Sequence, residues 1–379
     1  MIKLCLKTVV VLMALYFIFI APVMGEEQDV LEDVEIKDVI ATFGVMPEDD
    51  PDFEFYNWQT SIYNITQEIA ADKAFEQYVS FGGLIDGYGP FEDGTIRIFI
   101  NKNFRNSVTD DELMEIVAIV EKYAEKEGIE SVPVVFLIIE SEAPAAAEYQ
   151  KTSTNYTSYQ NRYKPLVGGI MFTTSDSSGP VSHGSVGFMA EDDTTGAYGF
   201  VTAAHVFGFS DRDAHQPTYN SLLPVYSRVG SSNITYNNID VVFVPYNNVE
   251  AKIFYQNDTT LGNYTVGGYF NERNIGEEVT KSGYVTGLQN ATIVGYVNDM
   301  NMTHPSWEAY GYPRFDRVGI LDANILDNGD SRSPIFQVLE EYDGKAYIVG
   351  IAFASGNNTT YFIPCQEIRD KLGITPLTN

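Results

Sequence analysis

The part of the chain from Pro165 onward consists of short β-forming runs, and this pattern restricts the fold more than any other feature. The runs are rich in β-branched and aromatic residues, and Gly, Asn, Asp and Ser separate them. They are Gly184–Ala190, Gly199–Ala203, Val241–Pro245, Ile293–Val297 and Ala346–Phe353. The first convincing helical period after Pro165 comes at Gln366–Leu372. Many short strands with frequent turns predict an all-β barrel or sandwich.

The region before Pro165 predicts a small α/β domain. Thr95–Ile100 alternates as a strand does, and Val132–Ile139 is an apolar run that predicts a buried strand. Between them, Thr109 and Glu112 have the spacing of a capping box, and a glycine stop signal follows at position 128. The predicted helix has apolar residues at helical spacing, namely Leu113, Ile116, Val117, Val120 and Ala124.

Composition divides the chain into four segments. Residues 1–25 have a basic start, an apolar run and small residues at the end, which predicts a signal peptide, with an uncleaved anchor as the alternative. Residues 26–150 comprise the small domain, and we expect their acidic beginning, 26–54, to be a solvated leader. Residues 151–164 lack an apolar period and predict a linker. Residues 165–379 form the β-rich domain.

The charge balance limits the partners of the protein. The chain has 52 acidic and 23 basic residues, a formal net charge of −29. Such a surface repels phosphate groups, which argues against binding to nucleic acid. It also argues against binding to anionic membranes, apart from an uncleaved N-terminal anchor. Mutual repulsion between copies of the chain predicts a soluble monomer.

Cysteine, histidine and asparagine patterns add further limits. Removal of the signal peptide would leave Cys365 as the sole cysteine, so we expect no intramolecular disulfide. His183, His215 and His304 have no metal-ligand spacing, and there is no glycine-rich phosphate loop, so we expect neither a metal nor a cofactor. In an exported chain, Asn-x-Ser/Thr triplets predict a glycoprotein. They begin at Asn64, Asn155, Asn233, Asn257, Asn263, Asn290, Asn301, Asn357 and Asn358.

Three polar residues stand out in β-forming surroundings. His205 ends a Phe-Val-Thr-Ala-Ala-His run, Asp240 begins an Asp-Val-Val-Phe-Val run, and Ser331 follows Gly-Asp in a tight turn. Each alone fits an ordinary role, as a core histidine, a strand-capping acid or a turn serine. In the order His, Asp, Ser they predict a catalytic triad, in which His205 takes the proton of Ser331 and Asp240 orients the imidazole. The backbone N–H groups of Gly329 and Ser331 would face the developing oxyanion.

These motifs resemble those of the trypsin-like serine proteases, above all the prokaryotic streptogrisin and α-lytic group. The resemblance covers residues 165–375 and rests on Pro165–Gly169, Phe200–His205, Ile239–Val244, Val279–Gly287, Gly329–Ser331 and Phe362–Leu372. It implies two six-stranded antiparallel β-barrels with the active site between them. His205 and Asp240 would belong to the first barrel and Ser331 to the second.

The resemblance also assigns supporting roles. It implies that Asp330 is buried and paired with Lys281, which shapes the oxyanion loop. The expected substrate-cleft positions are Ile325, Asn328, Arg332, Ser355 and Gly356. Ile325 stands where relatives that select basic side chains have an acid, so we expect a neutral or apolar primary pocket.

Arg332 departs from the family, which usually has glycine directly after the nucleophile. We expect its side chain to reach an acid or a backbone carbonyl across the cleft rim and to brace the oxyanion loop. The alternative is that it lies over the leaving-group side of the cleft and narrows access there.

The sequence therefore predicts a secreted serine endopeptidase that acts on polypeptides. The family resemblance makes residues 26–150 a candidate pro-region, so that the full chain would be a zymogen. A binding or adhesion protein on a protease scaffold is one alternative, which Arg332 favours and the intact triad opposes. An esterase that uses the same triad is the other.

Overall fold

The computed structural model describes most of the chain after residue 38, and every structural statement below concerns that part. The described residues are 39–47, 54–80, 82–138, 157–208, 210–218, 227–232, 239–257, 260–302, 314–356 and 358–379. The predicted signal peptide, residues 1–25, and the first part of the predicted linker, residues 151–156, lie outside them. None of the helices in these ranges combines the length and the apolar character needed to cross a bilayer.

The N-terminal region forms a four-stranded sheet that shares one core with two helices. Its strands are β1 (Val39–Phe43), β2 (Ile85–Pro90), β3 (Ile96–Ile100) and β4 (Val134–Leu137), and its helices are α1 (Phe55–Ala71) and α2 (Asp110–Ala124). The strand order is β1-β4-β3-β2, with β3 and β4 parallel. The α2 helix connects the two parallel strands, and the apolar residues predicted for it are buried.

The ends of α2 follow the sequence signals. Thr109 Oγ1 accepts a hydrogen bond from the Glu112 N–H at 3.3 Å, and the Glu112 carboxylate accepts one from the Thr109 N–H at 2.8 Å. A 3-10 turn follows the helix and ends at Gly128, whose φ of 78° is a left-handed conformation that glycine adopts without strain. The predicted helix, its capping box and its stop are confirmed.

Three elements of the N-terminal region are absent from the sequence prediction. β1 lies within the acidic stretch 26–54, which predicted a solvated leader, and it pairs antiparallel with β4. β2 precedes the first strand that the sequence indicated. The third is α1, whose buried residues recur at helical spacing among polar and acidic neighbours, namely Trp58, Ile62, Ile65 and Ile69. The leader prediction is therefore wrong for residues 39–43.

Among the described residues, the first half of the β-rich domain has ten strands, of which seven belong to two four-stranded sheets and three join the sheet that contains the second half. Its strands are β5 (Leu166–Gly168), β6 (Met171–Asp176), β7 (Gly179–Ser185), β8 (Met189–Asp192), β9 (Tyr198–Ala203), β10 (Asp213–His215), β11 (Arg228–Ser231), β12 (Val241–Pro245), β13 (Val249–Gln256) and β14 (Leu261–Tyr269). One sheet has the order β11-β10-β6-β7. The other has the order β12-β9-β8 and ends in the C-terminal strand β21 (Ile374–Pro376).

The second half closes into a six-stranded antiparallel ring. Its strands are β15 (Glu278–Gly283), β16 (Gly287–Asn301), β17 (Arg314–Leu321), β18 (Pro334–Leu339), β19 (Lys345–Gly356) and β20 (Thr359–Pro364). Each pairs with two others in the circular order β15-β16-β17-β20-β19-β18. Helix α3 (Cys365–Leu372) follows the ring.

The mainly β architecture with a small N-terminal α/β part is confirmed, and one point of the predicted fold needs correction. The second half contains the predicted six-stranded barrel. In the first half, the described strands form no second closed ring: seven lie in two separate sheets, one of which ends in β21, while β14, β13 and β5 extend the sheet of the ring from β19.

The N-terminal sheet continues into the ring. β2 pairs antiparallel with β16, and Tyr88 stands opposite Asn298. Gly89 allows this close approach, because a Cβ at that position would lie 1.7 Å from the Tyr296 carbonyl oxygen. The small domain and the β-rich domain therefore share one sheet, which local sequence patterns did not indicate.

The second part of the predicted linker packs against the β-rich domain. Tyr159 is buried, and its hydroxyl accepts a hydrogen bond from the Gln256 N–H at 2.9 Å and lies 2.9 Å from Ser282 Oγ. Its ring packs edge-on against Phe254, with 4.7 Å between centroids. Tyr163 packs against the same Phe254 ring, with 5.1 Å between centroids, so the prediction of a linker through residue 164 extends too far.

Candidate active site

Two neighbouring strands bring His205 and Asp240 together. His205 begins a 3-10 turn just after β9, and Asp240 is the residue before β12. Ala203 in β9 pairs with Val241 in β12, so both polar residues leave the sheet at the same end. The Ala204 N–H donates to the Asp240 carbonyl at 3.1 Å and extends this pairing to the two residues.

Asp240 holds His205 by two hydrogen bonds. Its Oδ1 accepts from the His205 backbone N–H at 2.8 Å, and its Oδ2 lies 2.6 Å from Nδ1. Burial would raise the pKa of the Asp240 carboxyl, but Arg332 and then His205 outweigh burial, so that this pKa lies below its usual range. The ionised carboxylate can only accept, and Nδ1 therefore carries the ring proton. Nε2 is buried and has no hydrogen-bond partner among the described residues, so it is the basic nitrogen.

Ser331 lies on a tight turn that requires glycine two residues before it. Gly329 has a φ of 109°, and a Cβ there would lie 2.1 Å from the Tyr284 hydroxyl oxygen. The Asp330 N–H donates to the Asp327 carbonyl at 2.9 Å and closes the turn. Among the described residues, the N–H groups of Gly329 and Ser331 have no protein acceptor. Both are therefore available to an oxyanion.

Asp330 points into a fully buried site behind this turn. Lys281 Nζ lies 3.1 Å from its Oδ2, and neither side chain is exposed. The carboxylate also accepts from the Val285 N–H at 2.8 Å and from Thr286 Oγ1 at 2.6 Å. Burial lowers the pKa of Lys281, and Asp330 opposes this shift. The two residues of the predicted ion pair thus lie together, and Thr286 joins them without having been recognised in the sequence.

The Arg332 side chain lies beneath the candidate triad, which corrects the expectation that it lines the substrate cleft. It is fully buried, and its Nη2 donates to the Asp240 carbonyl oxygen at 2.6 Å and contacts Oδ2 of the same residue. Its φ of 68° is left-handed, a conformation that costs a non-glycine residue about 1–3 kcal/mol. The guanidinium also packs over the Phe353 ring at 4.9 Å. Arg332 thus reaches an acid and a backbone carbonyl, as expected, but both belong to the buried Asp240 and do not lie at the rim of the cleft.

A cavity of 170 Å³ opens beside Ser331. Its walls are formed by Asn324, Leu326, Asp327, Asn328, Ser331 and Ser355. Of the predicted cleft residues, Asn328 and Ser355 therefore line it, and Gly356 does not. Ile325 also does not, because it packs in the core of the ring and donates its N–H to Thr360 Oγ1 at 3.0 Å. Asp327 is also among the wall residues, and the neutral or apolar primary pocket stays a prediction.

Ser331 and His205 lie on facing segments. The Ser331 carbonyl accepts from the Ser185 N–H at 3.2 Å. A Cβ on the adjacent Gly184 would lie 3.5 Å from that carbonyl oxygen and 3.0 Å from Val206 Cγ2. In the described residues, no hydrogen bond joins Ser331 Oγ to His205 Nε2. In many enzymes the catalytic hydrogen bonds form fully only in the complex with substrate.

The other reactive side chains in the described ranges have structural surroundings. His215 bonds through Nε2 to Ser175 Oγ at 2.8 Å, and burial lowers the pKa of His183. Burial raises the pKa of the Cys365 thiol to about 12, which disfavours a thiolate nucleophile. His304 lies outside the described residues. Within them, no group of three His, Cys, Asp or Glu side chains is placed to hold a metal ion.

This chain is similar to solved structures of trypsin-like serine proteases. The Nocardiopsis protease is 21% identical, and the match covers 56% of this chain and 99% of that one at a TM-score of 0.41. The chymotrypsin of Cellulomonas bogoriensis is 23% identical, with coverage of 56% and 99% and a TM-score of 0.41. The α-lytic protease homologue N4 is 19% identical, with coverage of 55% and 98% and a TM-score of 0.41. No family model and no curated protein matches the chain.

Proposed function

We propose that the protein is a serine endopeptidase that hydrolyses peptide bonds through Ser331, His205 and Asp240. The observation that carries this proposal is the geometry of His205. Asp240 fixes its ring through the backbone N–H and Nδ1, and this leaves Nε2 as an unpaired base. The facing turn carries a serine together with two N–H groups that have no acceptor in the described part of the chain. This set supports acyl transfer.

The reaction proceeds by nucleophilic attack with proton transfer through the imidazole. Nε2 of His205 takes the Ser331 Oγ proton as Oγ bonds to the substrate carbonyl carbon, and Asp240 stabilises the imidazolium. The imidazolium then gives the proton to the leaving amine, the C–N bond breaks, and an acyl-enzyme remains. Water, deprotonated by the same Nε2, attacks the ester carbonyl and releases the acid and the serine.

The turn at Ser331 stabilises the negative charge of the tetrahedral intermediates. The N–H groups of Gly329 and Ser331 donate to the oxyanion in this mechanism. The buried Asp330–Lys281 pair anchors the residue between them, so that both donors keep their direction when the carbonyl oxygen gains charge. Such preorganised donors typically account for about 10²–10³-fold in kcat each.

The proposed substrates are polypeptides, and the proposed site of action is outside the cell. Export rests on the signal-like pattern of residues 1–25. Glycosylation remains a proposal for exposed triplets such as those at Asn64, Asn263 and Asn290. We do not extend it to Asn301, because this residue is buried and its amide donates to the Val79 carbonyl at 3.4 Å.

The alternative of a binding protein on a protease scaffold loses the feature that favoured it. The sequence favoured that alternative because the Arg332 side chain was a candidate for blocking the cleft. With zero exposure and with contacts to Asp240, Arg332 does not obstruct substrate. We therefore retain catalysis as the proposed function.

A fluorophosphonate probe tests the proposal on the full chain. We expect the probe to label wild-type protein at Ser331, and Ser331→Ala to abolish labelling and to lower peptide turnover by about 10⁴-fold or more. The melting temperature of the variant should stay near that of the wild type, since only one oxygen is removed. Ser178→Ala, at an exposed turn, is the control that should label normally.

Two results would contradict the proposal. The first is the absence of labelling in a well-folded wild-type chain. The second is labelling accompanied by hydrolysis of esters but of no peptide bond in a diverse peptide library, which would indicate an esterase.

A further inference from the structure

The residue after the proposed nucleophile is tied to the proposed catalytic acid. Arg332 belongs to the ring half of the β-rich domain, and Asp240 belongs to the other half, 92 residues earlier. Its own N–H donates to the Ala352 carbonyl at 2.6 Å, which fixes its backbone to β19. Its Nη2 reaches the carbonyl oxygen and the Oδ2 atom of Asp240. One side chain thus connects the nucleophile turn to both the backbone and the carboxylate of the acid.

The atoms that Arg332 contacts also position the base. Oδ2 of Asp240, which Arg332 contacts, is the oxygen that lies 2.6 Å from His205 Nδ1. The carbonyl oxygen of Asp240 accepts from the Ala204 N–H as well as from Arg332. Asp240 has a φ of 49°, a left-handed conformation that an aspartate keeps only when its surroundings hold it. Arg332 is one of the groups that hold it.

We propose that Arg332 is a positioning residue for the proposed hydrolysis, which fixes the Asp240 carboxylate and, through it, the orientation of the His205 ring. This inference rests on the proposed function. It goes beyond that function in assigning a role to a charged residue at a position where glycine would avoid backbone strain.

Simple filling of space does not account for an arginine here. Burial lowers the pKa of Arg332 to about 10, although Asp240 opposes the shift, so keeping a cation at this position costs free energy. An apolar side chain of similar volume would fill the site without that cost. The strained backbone and the buried charge of Arg332 both cost free energy. We infer that the interaction of this charge with Asp240 offsets that cost.

The cation also sets the pH range in which the acid stays ionised. Among the described residues, Arg332 and His205 are the charged or titratable groups that act on the Asp240 carboxyl. Without Arg332, burial would be opposed by His205 alone, and the pKa of Asp240 would rise. A protonated Asp240 cannot accept from both the backbone and Nδ1 of His205, so activity would then be lost at a higher pH during acidification.

The test compares three variants of the full chain by pH profiles of kcat and KM for a peptide substrate. Arg332→Met keeps much of the volume and removes the charge. Arg332→Lys keeps a charge, but its nitrogen lies one bond short of the Nη2 atom with which Arg332 contacts both Asp240 oxygens. Arg317→Met is the control, because Arg317 is also buried, with 5% exposure against 0% for Arg332, and pairs with the partly exposed Glu272, away from the triad.

For Arg332→Met we expect kcat to fall by about tenfold to a hundredfold at an unchanged KM. The acid limb of its profile should move to higher pH by about one unit or more. For Arg332→Lys we expect a several-fold lower kcat and an acid limb near that of the wild type. Arg317→Met should lower the melting temperature and leave both the acid limb and kcat of the folded fraction unchanged.

A folded Arg332→Met variant with wild-type kcat and acid limb would overturn the inference and leave the proposed function intact. If that variant does not fold, the lysine variant decides, and a kcat equal to that of the wild type would overturn it. The same shift of the acid limb in Arg317→Met would also contradict the inference, since loss of any buried cation would then shift the pH profile. A wild-type chain without turnover or probe labelling would overturn the proposed function and this inference with it.

Discussion

Two buried aspartates flank the proposed nucleophile, and their surroundings differ. Asp330 is bound by Lys281, by the Thr286 hydroxyl and by two N–H groups from the β15–β16 turn. Asp240 is bound by Arg332 from the other half of the domain and by an imidazole. Both carboxylates are fully buried, and each has one cation.

The difference separates a structural acid from a mechanistic one. Asp330 binds an ammonium group, a hydroxyl and backbone N–H groups and no imidazole, so we assign this site the role of holding the turn in place. Asp240 binds an imidazole, whose second nitrogen is buried and has no hydrogen-bond partner among the described residues. A buried acid–cation pair alone is therefore weak support for a catalytic role. The imidazole of His205 beside Asp240 is the feature that supports such a role there.

The largest expected effect comes from removing the negative charge of Asp240. In Asp240→Asn, the amide N–H₂ would face Nδ1 and force it to accept, which places the ring proton on Nε2, where the base is needed. We expect kcat to fall by about 10⁴-fold at pH 7. Rates on a peptide substrate measure this, with Asp213→Asn, an exposed acid paired with Arg228, as the control. Retention of more than a tenth of wild-type kcat would contradict the assigned role.

The second effect tests the structural acid. Lys281→Met would leave Asp330 without its cation, and we expect the free energy of unfolding to fall by about 3–5 kcal/mol. Urea denaturation measures this, and the folded fraction should keep the pH profile of the wild type. Lys252→Met, which breaks a surface pair with Glu250, should cost less than about 1 kcal/mol. Equal stability of the two variants would remove the distinction between buried and exposed pairs.

The sequence reveals those parts of the site that depend on local patterns. His205, Asp240 and Ser331 each lie next to a strand or tight turn that short-range signals identify, and their order predicts their grouping. The path of Arg332 was not predictable, because it depends on a left-handed backbone and on a partner 92 residues away. The proteases that the sequence resembles usually have glycine at this position, so the resemblance did not indicate where a side chain would lie.

The same distinction explains which parts of the fold were found. The capping box, the apolar residues and the glycine stop of α2 all lie within twenty residues, and the sequence therefore predicted the helix correctly. The union of the N-terminal sheet with the ring depends on contacts such as Tyr88 with Asn298, which are far apart in sequence. Short strands such as β1 are stabilised by pairing with a partner strand, here β4. They have too few residues for an alternating apolar pattern to be recognised.

The third expected effect joins backbone strain and charge at one residue. Arg332→Gly would relieve the left-handed strain, a gain of about 1 kcal/mol or slightly more. It would also leave Asp240 buried with only His205, a loss of about 3–5 kcal/mol. The loss exceeds the gain, so we expect a net destabilisation of about 3 kcal/mol in urea denaturation. A more stable glycine variant would indicate that the Arg332–Asp240 pair contributes nothing to folding.

The smallest effect concerns a third acid, Asp86 in β2, which forms no ion pair among the described residues, although the Lys102 charge opposes the rise of its pKa. Its Oδ1 accepts from Asn101 Nδ2 at 3.1 Å, and burial raises its pKa to about 7, with amide hydrogen bonds opposing the shift only in part. Below pH 4 the carboxyl is protonated in both the folded and the unfolded chain, and its titration does not affect stability. As the pH rises toward 7, the unfolded chain ionises first, and stability is lost.

Asp86→Asn should therefore stabilise the protein at pH 8 and have little effect at pH 4. A pKa raised by about three units corresponds to roughly 4 kcal/mol at most, and partial access of water reduces our expectation to about 2 kcal/mol. The new amide could also donate to Asn301 Oδ1, which is buried and has no hydrogen-bond partner among the described residues. Urea denaturation at the two pH values measures the difference. An equal change at both values would mean that ionisation of Asp86 does not control it.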